Sequence, residues 1–305
     1  MTLRPSSLDE LTALIADSAA QRRALRLVGR GTWLSGGGSV AETAEHVHLG
    51  AFGGVVEYEP GDLTITVGAA MTIAELDAIT AANNQWCPLA PWGGDDGTVG
   101  ATIATATGGP CAHALGLPRD LVLGIACVDG SGKVLRPGGK VVKNVAGFDL
   151  VRLITGSWGS LAVITSVSLR LRARPAVDET WTIACDASAA ALAQQTLRNS
   201  VTPPIACEVV PAPLGKGETT VPAGLLVRIA GNAAYVAAAR LGVRALGVRA
   251  LGDAREATAA AWQAVRVSRR TLTARPAMPE AVRALNVRVK TAFDPSGILN
   301  PGIMG

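Results

Sequence analysis

The sequence predicts an α+β protein built from two domains. Its 305 residues correspond to about two domains at roughly 150 residues each. Short apolar segments typical of strands are interspersed with amphipathic segments typical of helices. Glycine-rich turns lie beside strands in the first half, whereas the second half has the order β-α-β-β-α-β. Together these features predict sheets with helices packed against them, in two successive units.

The first domain is predicted to begin with a helix over residues 7–22. Ser7 and Glu10 have the spacing of a capping box, and apolar residues follow at helical intervals. Alternating or continuous apolar runs then predict further elements, and Gly, Pro and Asp residues mark the turns between them. The strands are expected at 24–28, 46–49, 55–58, 63–67 and 161–172, the helices at 72–83 and 147–154, and a hairpin turn at 129–132.

The second domain is predicted to start after Arg174-Pro175. Residues 180–251 contain strand, helix, strand, strand, helix and strand, an order typical of a small ferredoxin-like α/β domain. Its helices are expected at 188–198 and 232–246. We therefore divide the chain into domains 1–174 and 175–275, with helical patterns at 253–269 and 279–293.

Composition excludes several functional classes. Charged residues make up 17% of the chain, below the roughly 25% typical of soluble domains, so a partner subunit could cover part of the surface. The net charge of +4 is scattered, which argues against nucleic-acid binding. No segment has the length and apolar character of a transmembrane helix, and the N-terminus lacks a signal-peptide core. We expect a cytoplasmic protein.

The cysteines are interpreted as buried apolar residues. They are five in number and none is spaced as C-x-x-C, so a zinc or iron–sulfur site is not expected. His46 and His48 are predicted to face one way on a strand, but they lack a third ligand nearby and are interpreted as surface or strand-edge residues. We expect no metal site.

The glycine-rich turns predict a site for a phosphate-containing ligand. Residues without a Cβ atom let several backbone N–H groups reach one anion. The turn after the strand at 24–28 is not a Rossmann fingerprint, because Leu34 occupies its sixth position and no clean βαβ unit follows. No Walker motif occurs either. Two further regions, 97–106 and 156–160, make an extended dinucleotide a better fit than a mononucleotide.

These segments carry a resemblance to a known family. The segments at 29–32, 98–110, 119–124, 138–150 and 156–165 follow one another in family order. The chain resembles the FAD-binding domain of the vanillyl-alcohol oxidase or PCMH family, and in particular the FAD-binding E subunits of bacterial glycolate oxidase. The sequence KNVAGFD at 143–149 and the ending from Asp294 to Gly302 are the most specific pieces.

The resemblance implies a two-subdomain PCMH-type fold with a small cap, to which residues 276–305 return. It also implies roles in FAD binding: 29–33 at the pyrophosphate, 97–105 at the ribityl and flavin, 159–164 at the adenosine half and Asn300 towards the isoalloxazine. The expected set is Gly29, Arg30, Gly31, Thr32, Trp33, Pro91, Gly97, Thr98, Val99, Gly100, Ala101, Ala104, Thr105, Gly159, Ser160, Val163, Ile164 and Asn300.

Some details depart from the family pattern. Ala101 stands where a second glycine is common, and Phe148 stands where a tyrosine is usual. Thr32-Trp33 occupies the position of the histidine that attaches flavin covalently in some members, and no cysteine lies in 92–100. We therefore expect non-covalent FAD.

The chain lacks the histidines that the resemblance would require for catalysis. Related metal-dependent 2-hydroxy-acid dehydrogenases draw their metal and base from a His-rich cap, yet no histidine follows His113. His113 itself is either a loop residue or a neighbour of the isoalloxazine. Arg119-Asp120 is interpreted as a structural ion pair, and Lys143 and Asp149 are interpreted as supporting residues.

The leading hypothesis is an FAD-binding subunit of a glycolate or other 2-hydroxy-acid oxidase complex. The resemblance implies two partners, a paralogous FAD-containing catalytic subunit and an iron–sulfur subunit, through which the chain could associate with the inner membrane face. One alternative is a self-sufficient dehydrogenase with another base, for which Tyr235 and Lys290 are candidates. A second alternative is a structural subunit that has lost flavin.

Overall fold

The structure is a computed structural model. It describes the chain in six ranges, and the statements below concern those ranges: 2–38, 40–139, 149–215, 220–246, 254–269 and 279–303.

A small parallel sheet lies at the start of the chain. Its strand order is β1-β3-β2, and helix α1 connects β1 to β2. The elements are β1 (Thr2–Leu3), α1 (Leu8–Gln21), β2 (Leu25–Val28) and β3 (Glu45–His48). The predicted first helix is confirmed, because the Ser7 hydroxyl caps it by accepting from the Glu10 amide.

A five-stranded antiparallel sheet forms the larger part of the first half. Its strand order is β4-β5-β9-β7-β8. The strands are β4 (Val55–Glu59), β5 (Thr64–Gly68), β7 (Val122–Asp129), β8 (Val134–Leu135) and β9 (Ala162–Arg170). The predicted long strand and the hairpin between β7 and β8 are both confirmed. Alternating residues of β5 and β9 build the main core of this sheet, including Ile65, Val67, Val167 and Leu169.

Helices and a two-stranded ribbon border this sheet. The helices are α2 (Ile73–Ala81), α3 (Val99–Thr105), α4 (Ala112–Leu115), α5 (Pro118–Leu121) and α6 (Leu150–Ile154). The ribbon pairs β6 (Gln85–Trp86) with β10 (Arg172–Ala173). Helix α2 begins with the predicted capping box, in which Thr72 and Glu75 satisfy each other's backbone amides.

The second half of the chain contains a four-stranded antiparallel sheet of order β12-β13-β11-β14. In chain order, one helix follows the first of these strands and another helix follows the third. The elements are β11 (Val177–Ala184), α7 (Ala187–Arg198), β12 (Ala206–Val210), β13 (Gly224–Gly231), α8 (Ala233–Leu246) and β14 (Ala254–Ala257). The first five predicted elements, β-α-β-β-α, are present, and β11 begins shortly after the expected boundary. The sixth was expected before residue 251, where residues 247–253 lie outside the described ranges, whereas the observed strand β14 is at Ala254–Ala257.

One helix prediction was wrong at its start. A continuous helical pattern was expected over 253–269, but Ala254–Ala257 is a strand that pairs with β11. Cross-strand pairing at the sheet edge overrides a weak helical preference here. The helix itself is shorter, α9 (Ala260–Ser268), and it is followed by α10 (Glu280–Phe293).

The C-terminal segment returns to the first sheet. The Leu25 amide donates to the Ile298 carbonyl at 2.8 Å, and the Asn300 amide donates to the Leu25 carbonyl at 2.9 Å. Leu299 thus lies beside β2 as an additional parallel strand position. In the described ranges no helix combines the length and apolarity needed to cross a bilayer.

Candidate functional site

An open cleft of about 850 Å³ lies where β2, α3, β9 and the C-terminal segment meet. The lining contains most of the residues that the sequence singled out. It consists of Arg26, Leu27, Val28, Gly29, Arg30, Gly31, Thr32, Trp33, Leu34, Gly36, Leu49, Ala69, Ala70, Thr98, Gly100, Ala101, Ala104, Thr105, Trp158, Gly159, Ala162, Ile164, Asn300 and Ile303.

The first glycine loop leaves the end of β2 and enters the cleft with all of residues 29–33. Gly31 has a φ of +75°, which favours glycine. A Cβ atom on Gly29 would lie 2.8 Å from the Thr98 Oγ1 of the second loop. The two loops are therefore packed against each other, and glycine at position 29 permits that approach.

The second loop enters α3 through a buried cap. The Thr98 hydroxyl accepts from the Ala101 amide at 3.2 Å. Gly100 follows in the first turn of the helix, where its amide donates to the Ala69 carbonyl at 2.8 Å. A Cβ atom on Gly100 would lie 2.6 Å from the Ala69 Cβ, so even alanine is too large. Small residues on this helix leave one side of the cleft open to a ligand.

The third turn packs against the first two. Trp158 lines the cleft, its amide donates to the Ala104 carbonyl at 2.8 Å, and its ring lies directly on Gly37 of the first loop. Gly159 has a φ of +67°, and a Cβ there would lie 2.8 Å from the side-chain nitrogen Nδ2 of Asn300. The three glycine regions, separate in sequence, thus form one continuous wall.

Asn300 joins the C-terminal segment to two sides of the cleft. Its side-chain oxygen accepts from the Leu27 amide at 2.9 Å, and its side-chain nitrogen donates to the Trp158 carbonyl at 2.8 Å. These bonds orient the amide unambiguously, because an oxygen must face the Leu27 donor. Asn300 therefore holds β2 and the third turn together at the edge of the cleft.

Asp294 and Lys290 fix the segment that carries Asn300. The buried Asp294 carboxylate accepts from the amides of Ile298 at 3.0 Å and Leu299 at 2.9 Å. The Lys290 ammonium donates to Asp294 and also to the Ser160 and Leu299 carbonyls, each at 3.0 Å. Lys290 thus has three acceptors outside the cleft, so the structure gives no support to its candidacy as a catalytic base.

The charge of the cleft is positive. Arg26 and Arg30 line it, and no Asp, Glu, His, Lys, Tyr or Cys does so within the part of the chain that the structure describes. The Arg26 guanidinium donates to the Leu34 carbonyl and so braces the first loop. Arg30 is exposed at the mouth. The arrangement suits a ligand with negative charge and a long apolar body.

The remaining predicted residues lie outside the lining, for identifiable reasons. Val163 alternates with Ala162 and Ile164 on β9, so it faces a core on the other side of the sheet. Val99 is fully buried in the main core. Ser160 is buried, and its hydroxyl donates to the Ser157 carbonyl at 2.6 Å.

Gly97 and Pro91 are positioned behind the cleft. The Gly97 carbonyl accepts from the Ile73 amide at 3.0 Å, and a Cβ on Gly97 would lie 3.7 Å from the Thr32 hydroxyl. The Pro91 carbonyl accepts from Arg266 at 2.9 Å. Both residues support the loops that line the cleft.

Sequence reasoning missed several lining residues. Ala69 and Ala70 follow β5 directly, and a pair of small residues after a strand was a usable signal. Trp158 lies within the glycine-rich region 156–160 that the sequence predicted, but it was not among the expected FAD-binding residues. The full set of missed residues is Arg26, Leu27, Val28, Leu34, Gly36, Leu49, Ala69, Ala70, Trp158, Ala162 and Ile303.

No histidine belongs to the described lining of the cleft, although His48 pairs with Val28 and precedes Leu49, which both line it. His46 and His48 have ring centroids 6.4 Å apart, as expected for residues on one face of a strand, but β3 is the central strand of its sheet and not an edge. His113 is exposed, and its Nδ1 lies 3.2 Å from the Pro110 carbonyl. Within the described ranges no three His, Cys, Asp or Glu side chains are grouped so that they could hold a metal.

Other polar candidates have local roles. Arg119 and Asp120 are both exposed, with 3.9 Å between Nε and Oδ1, so their pairing is weak. Asp149 caps α6 by accepting from the Arg152 amide. The Tyr235 hydroxyl donates to the Pro203 carbonyl in the second half of the chain. Lys143 and the rest of 140–148 lie outside the described residues.

The cysteines are free thiols. All are buried except the partly exposed Cys185. Burial raises the pKa of Cys87, Cys127 and Cys207 to about 12, so these thiols stay protonated at neutral pH. This agrees with the interpretation of the cysteines as buried apolar residues.

Comparison with known proteins agrees with this geometry. Residues 1–138 match a protein-family model described as an FAD binding domain. The matched range ends at residue 138 of 305, so this similarity to an FAD binding domain concerns less than half of the chain. The matched range contains the first two glycine regions, whereas the third turn and Asn300 lie beyond it.

Curated relatives match 123 to 212 residues of the chain. Glycolate oxidase subunit GlcE of Escherichia coli is 40% identical over 123 residues, 40% of this chain and 35% of that protein. A D-lactate dehydrogenase of Archaeoglobus fulgidus is 32% identical over 177 residues, 56% of this chain and 38% of that protein. Glycolate oxidase subunit GlcD of Bacillus subtilis is 28% identical over 212 residues, 70% of this chain and 44% of that protein. The matches therefore span less than half of each relative.

A solved structure of alkyldihydroxyacetonephosphate synthase shares the fold more widely. The TM-score is 0.71 at 16% sequence identity, with 88% of this chain and 56% of that chain covered. This similarity shows that the chain shares the fold of that structure over most of its length. At this level of identity it carries no information about activity.

Proposed function

We propose that the chain is the FAD-binding subunit of an oxidase or dehydrogenase complex for glycolate or a similar 2-hydroxy acid. The observation that carries this proposal is the cleft, which has glycine walls, two arginines and no ionisable acid or base in its described lining. Such a site can hold a dinucleotide but offers no group to take a proton. The names of the relatives supply the substrate class.

The cleft residues fit FAD. Glycines at 29, 100 and 159 stand where a Cβ would collide with a neighbouring segment, so these segments pack closely into one wall of the cleft. Arg30 and the amides of residues 29–33 would meet the diphosphate, and Asn300 would border the isoalloxazine. When bound, FAD supplies the redox chemistry that no amino-acid side chain provides. Among the described residues no cysteine or histidine lines the cleft, which favours non-covalent attachment.

Substrate chemistry is assigned to a partner subunit. Oxidation of a 2-hydroxy acid needs a base for the hydroxyl proton and a cation for the carboxylate. Neither Tyr235 nor Lys290 lines the cleft. The Tyr235 hydroxyl donates to the Pro203 carbonyl, and the Lys290 ammonium donates to the Leu299 carbonyl. A paralogous FAD-containing subunit would provide the base, and an iron–sulfur subunit would accept the electrons. Cytoplasmic location and membrane association through these partners stay predictions.

The domain organisation follows the same proposal. Residues 1–174 would form the FAD-binding domain, 175–275 a ferredoxin-like cap, and 276–305 the segment that returns to the first domain. The antiparallel sheet order β14-β11-β13-β12 supports the assignment of the cap. So does the connectivity, because helix α7 follows β11 and helix α8 follows β13.

Co-purification from the native host tests the proposal. The tagged chain should carry about one releasable FAD and should bring a second flavin polypeptide and an iron–sulfur polypeptide with it. The isolated chain should bind FAD yet fail to reduce an artificial electron acceptor with glycolate or D-lactate. Turnover by the isolated chain would favour the self-sufficient alternative. A colourless protein that does not take up added FAD would favour the structural alternative.

A further inference from the structure

Helix α9 of the second half lies directly on the segment that precedes the second glycine loop. The Gly93 amide donates to the Arg266 carbonyl of α9 at 2.8 Å. Gly94 has a φ of +94°, and a Cβ there would lie 3.0 Å from Val267 and 3.1 Å from Gln263. The helix therefore packs closely against the backbone at Gly94, and a side chain there would require Val267 and Gln263 to shift.

Arg266 connects α9 to this segment through its guanidinium. Its Nε donates to the Pro91 carbonyl at 2.9 Å, and its Nη2 donates to the Asp95 carboxylate at 2.6 Å. The Arg266 side chain is only 9% exposed, whereas Asp95 is 37% exposed. A buried guanidinium is tolerated when its donors are paired, so the 91–95 segment is held where Arg266 requires it.

The same segment continues directly to the cleft, and two of its carbonyls are hydrogen-bonded to helix α2. The Asp95 carbonyl accepts from the Ala74 amide at 3.1 Å, and the Gly97 carbonyl accepts from the Ile73 amide at 3.0 Å. Thr98, the next residue, caps α3 and lines the cleft. The described residues of 177–269 contribute nothing to the cleft lining itself. Any influence of the second half on the ligand must therefore pass through such a contact.

We infer that Arg266 is a positioning residue for the flavin: it sets the 91–97 segment, and through it Thr98 and α3, in the conformation that receives the cofactor. This inference rests on the proposed FAD-binding function. It makes the second half part of the cofactor site although its described residues do not line that site. The competing view is that Arg266 is an ordinary brace whose loss lowers stability alone.

Arg240 provides a matched control. Its guanidinium also makes two bonds to a carboxylate, that of Glu179, but both residues lie within the second half. Arg240→Met should lower thermal stability without a path to the cleft. Arg266→Met removes both bonds to the 91–95 segment, and Arg266→Lys keeps the charge but cannot make the same fork of two bonds.

Dissociation constants for FAD and the visible circular dichroism of bound flavin at saturation separate the two views. We expect Arg266→Met to raise the Kd of FAD by about tenfold or more and to alter the flavin dichroism, because a displaced loop presents a different surface. Arg266→Lys should be intermediate on both measures. Arg240→Met should stay within about twofold of the unmodified chain.

Each outcome has a single meaning. An unmodified chain that does not bind FAD contradicts the proposed function, whatever the variants do. If the unmodified chain binds FAD, and Arg266→Lys and Arg266→Met leave Kd and dichroism unchanged while melting temperature falls, Arg266 is a brace and the inference is overturned. If Arg266→Met does not fold, the milder Arg266→Lys decides between the two views.

Discussion

The cleft and the junction between the two halves both contain arginines, but they use them differently. At the junction Arg266 pairs with Asp95 of the first half. Arg228 and Arg269 also lie there, although their carboxylate partners, Asp178 at 2.5 Å and Glu208 at 2.6 Å, belong to the second half. The cleft lining contains Arg26 and Arg30 with no carboxylate among its described residues. Paired arginines hold the protein's own segments together, whereas arginines without a lining carboxylate leave charge for an anionic ligand.

Aromatic rings reinforce the paired arginines at the junction. The Arg228 guanidinium lies 5.4 Å from the centroid of a Trp86 ring, and that of Arg269 lies 4.8 Å from a Trp92 ring. These contacts stabilise the junction by cation–π attraction as well as by packing. At the junction, the arginine side chains are therefore bound by carboxylates and aromatic rings of the protein itself. In the cleft, the arginine charges face no lining carboxylate and can interact with a bound molecule.

The largest expected effect concerns the frame of the cleft. Asp294→Ala would leave the Lys290 ammonium without its carboxylate and two buried amides without an acceptor. Loss of one partner of a buried pair costs about 3–5 kcal/mol, so we expect a loss of that order in the free energy of unfolding. Urea denaturation measures it. Asp17→Ala, which removes an exposed partner of Arg23, should cost less than about 1 kcal/mol and serves as the control.

Gly159→Ala should have the next largest effect. The positive φ and the closeness of Asn300 both oppose a side chain at this position. A non-glycine residue in the left-handed region costs about 1–2 kcal/mol, and the contact with Asn300 adds to it. Thermal unfolding and FAD titration should both show the loss. Gly61→Ala meets open space and should be near neutral; an equal effect at both sites would contradict the tight wall described here.

Arg30→Met tests whether the charge of Arg30 serves an anionic ligand. The arginine is exposed, so its removal should leave stability unchanged while the Kd of FAD rises about tenfold through a lost phosphate contact. Because salt screens exposed charges, the affinity of the variant should also depend less on ionic strength. Titrations at two salt concentrations measure both. Arg119→Met, an exposed arginine away from the cleft, is the matched control, and identical behaviour of the two variants would remove Arg30 from the site.

Glu75→Gln should have the smallest effect, and it depends on pH. The Thr72 amide and hydroxyl, with a smaller contribution from Arg30, hold the pKa of Glu75 below its usual value. A lowered folded-state pKa means that the stabilisation is present above the unfolded pKa of about 4.3 and is lost as pH falls through the folded value. Since the carboxylate is exposed, we expect only about 0.5 kcal/mol.

Unfolding measured from pH 6 to pH 3 checks this sign. The difference in stability between the unmodified chain and Glu75→Gln should shrink as the pH falls. Glu57→Gln on β4, away from the capping box, is the comparison. A constant difference across the whole interval would show that the capping box does not govern the titration.

Local patterns predicted much of the fold. The capping boxes at Ser7 and Thr72, the alternation along β9 and the patterns of the first five elements in the second half are short-range signals, and each corresponds to an observed element. The strand at Ala254–Ala257 was missed because its pairing with β11 depends on residues more than seventy positions earlier. Local propensity carries no information about such a partner.

The candidate site shows the same division. Glycine turns after strands predicted the cleft wall, and the family resemblance brought Asn300 to it. The contact of Gly100 with Ala69 and the role of Arg266 could not be predicted, because both arise where distant segments meet. Val163 was selected with its neighbours although strand alternation assigns it to the opposite face.

The bond between Leu27 and Asn300 spans 273 positions of the chain, which bears on the order of events in folding. Contacts between distant segments close slowly, because the intervening chain loses entropy before they form. The sheets can assemble from nearer neighbours, but the edge of the cleft is complete only after the C-terminal segment has docked. Pulse-labelled hydrogen exchange during refolding should therefore protect the Leu27 amide later than the amides of β7 and β9, and cofactor capture should follow that late step.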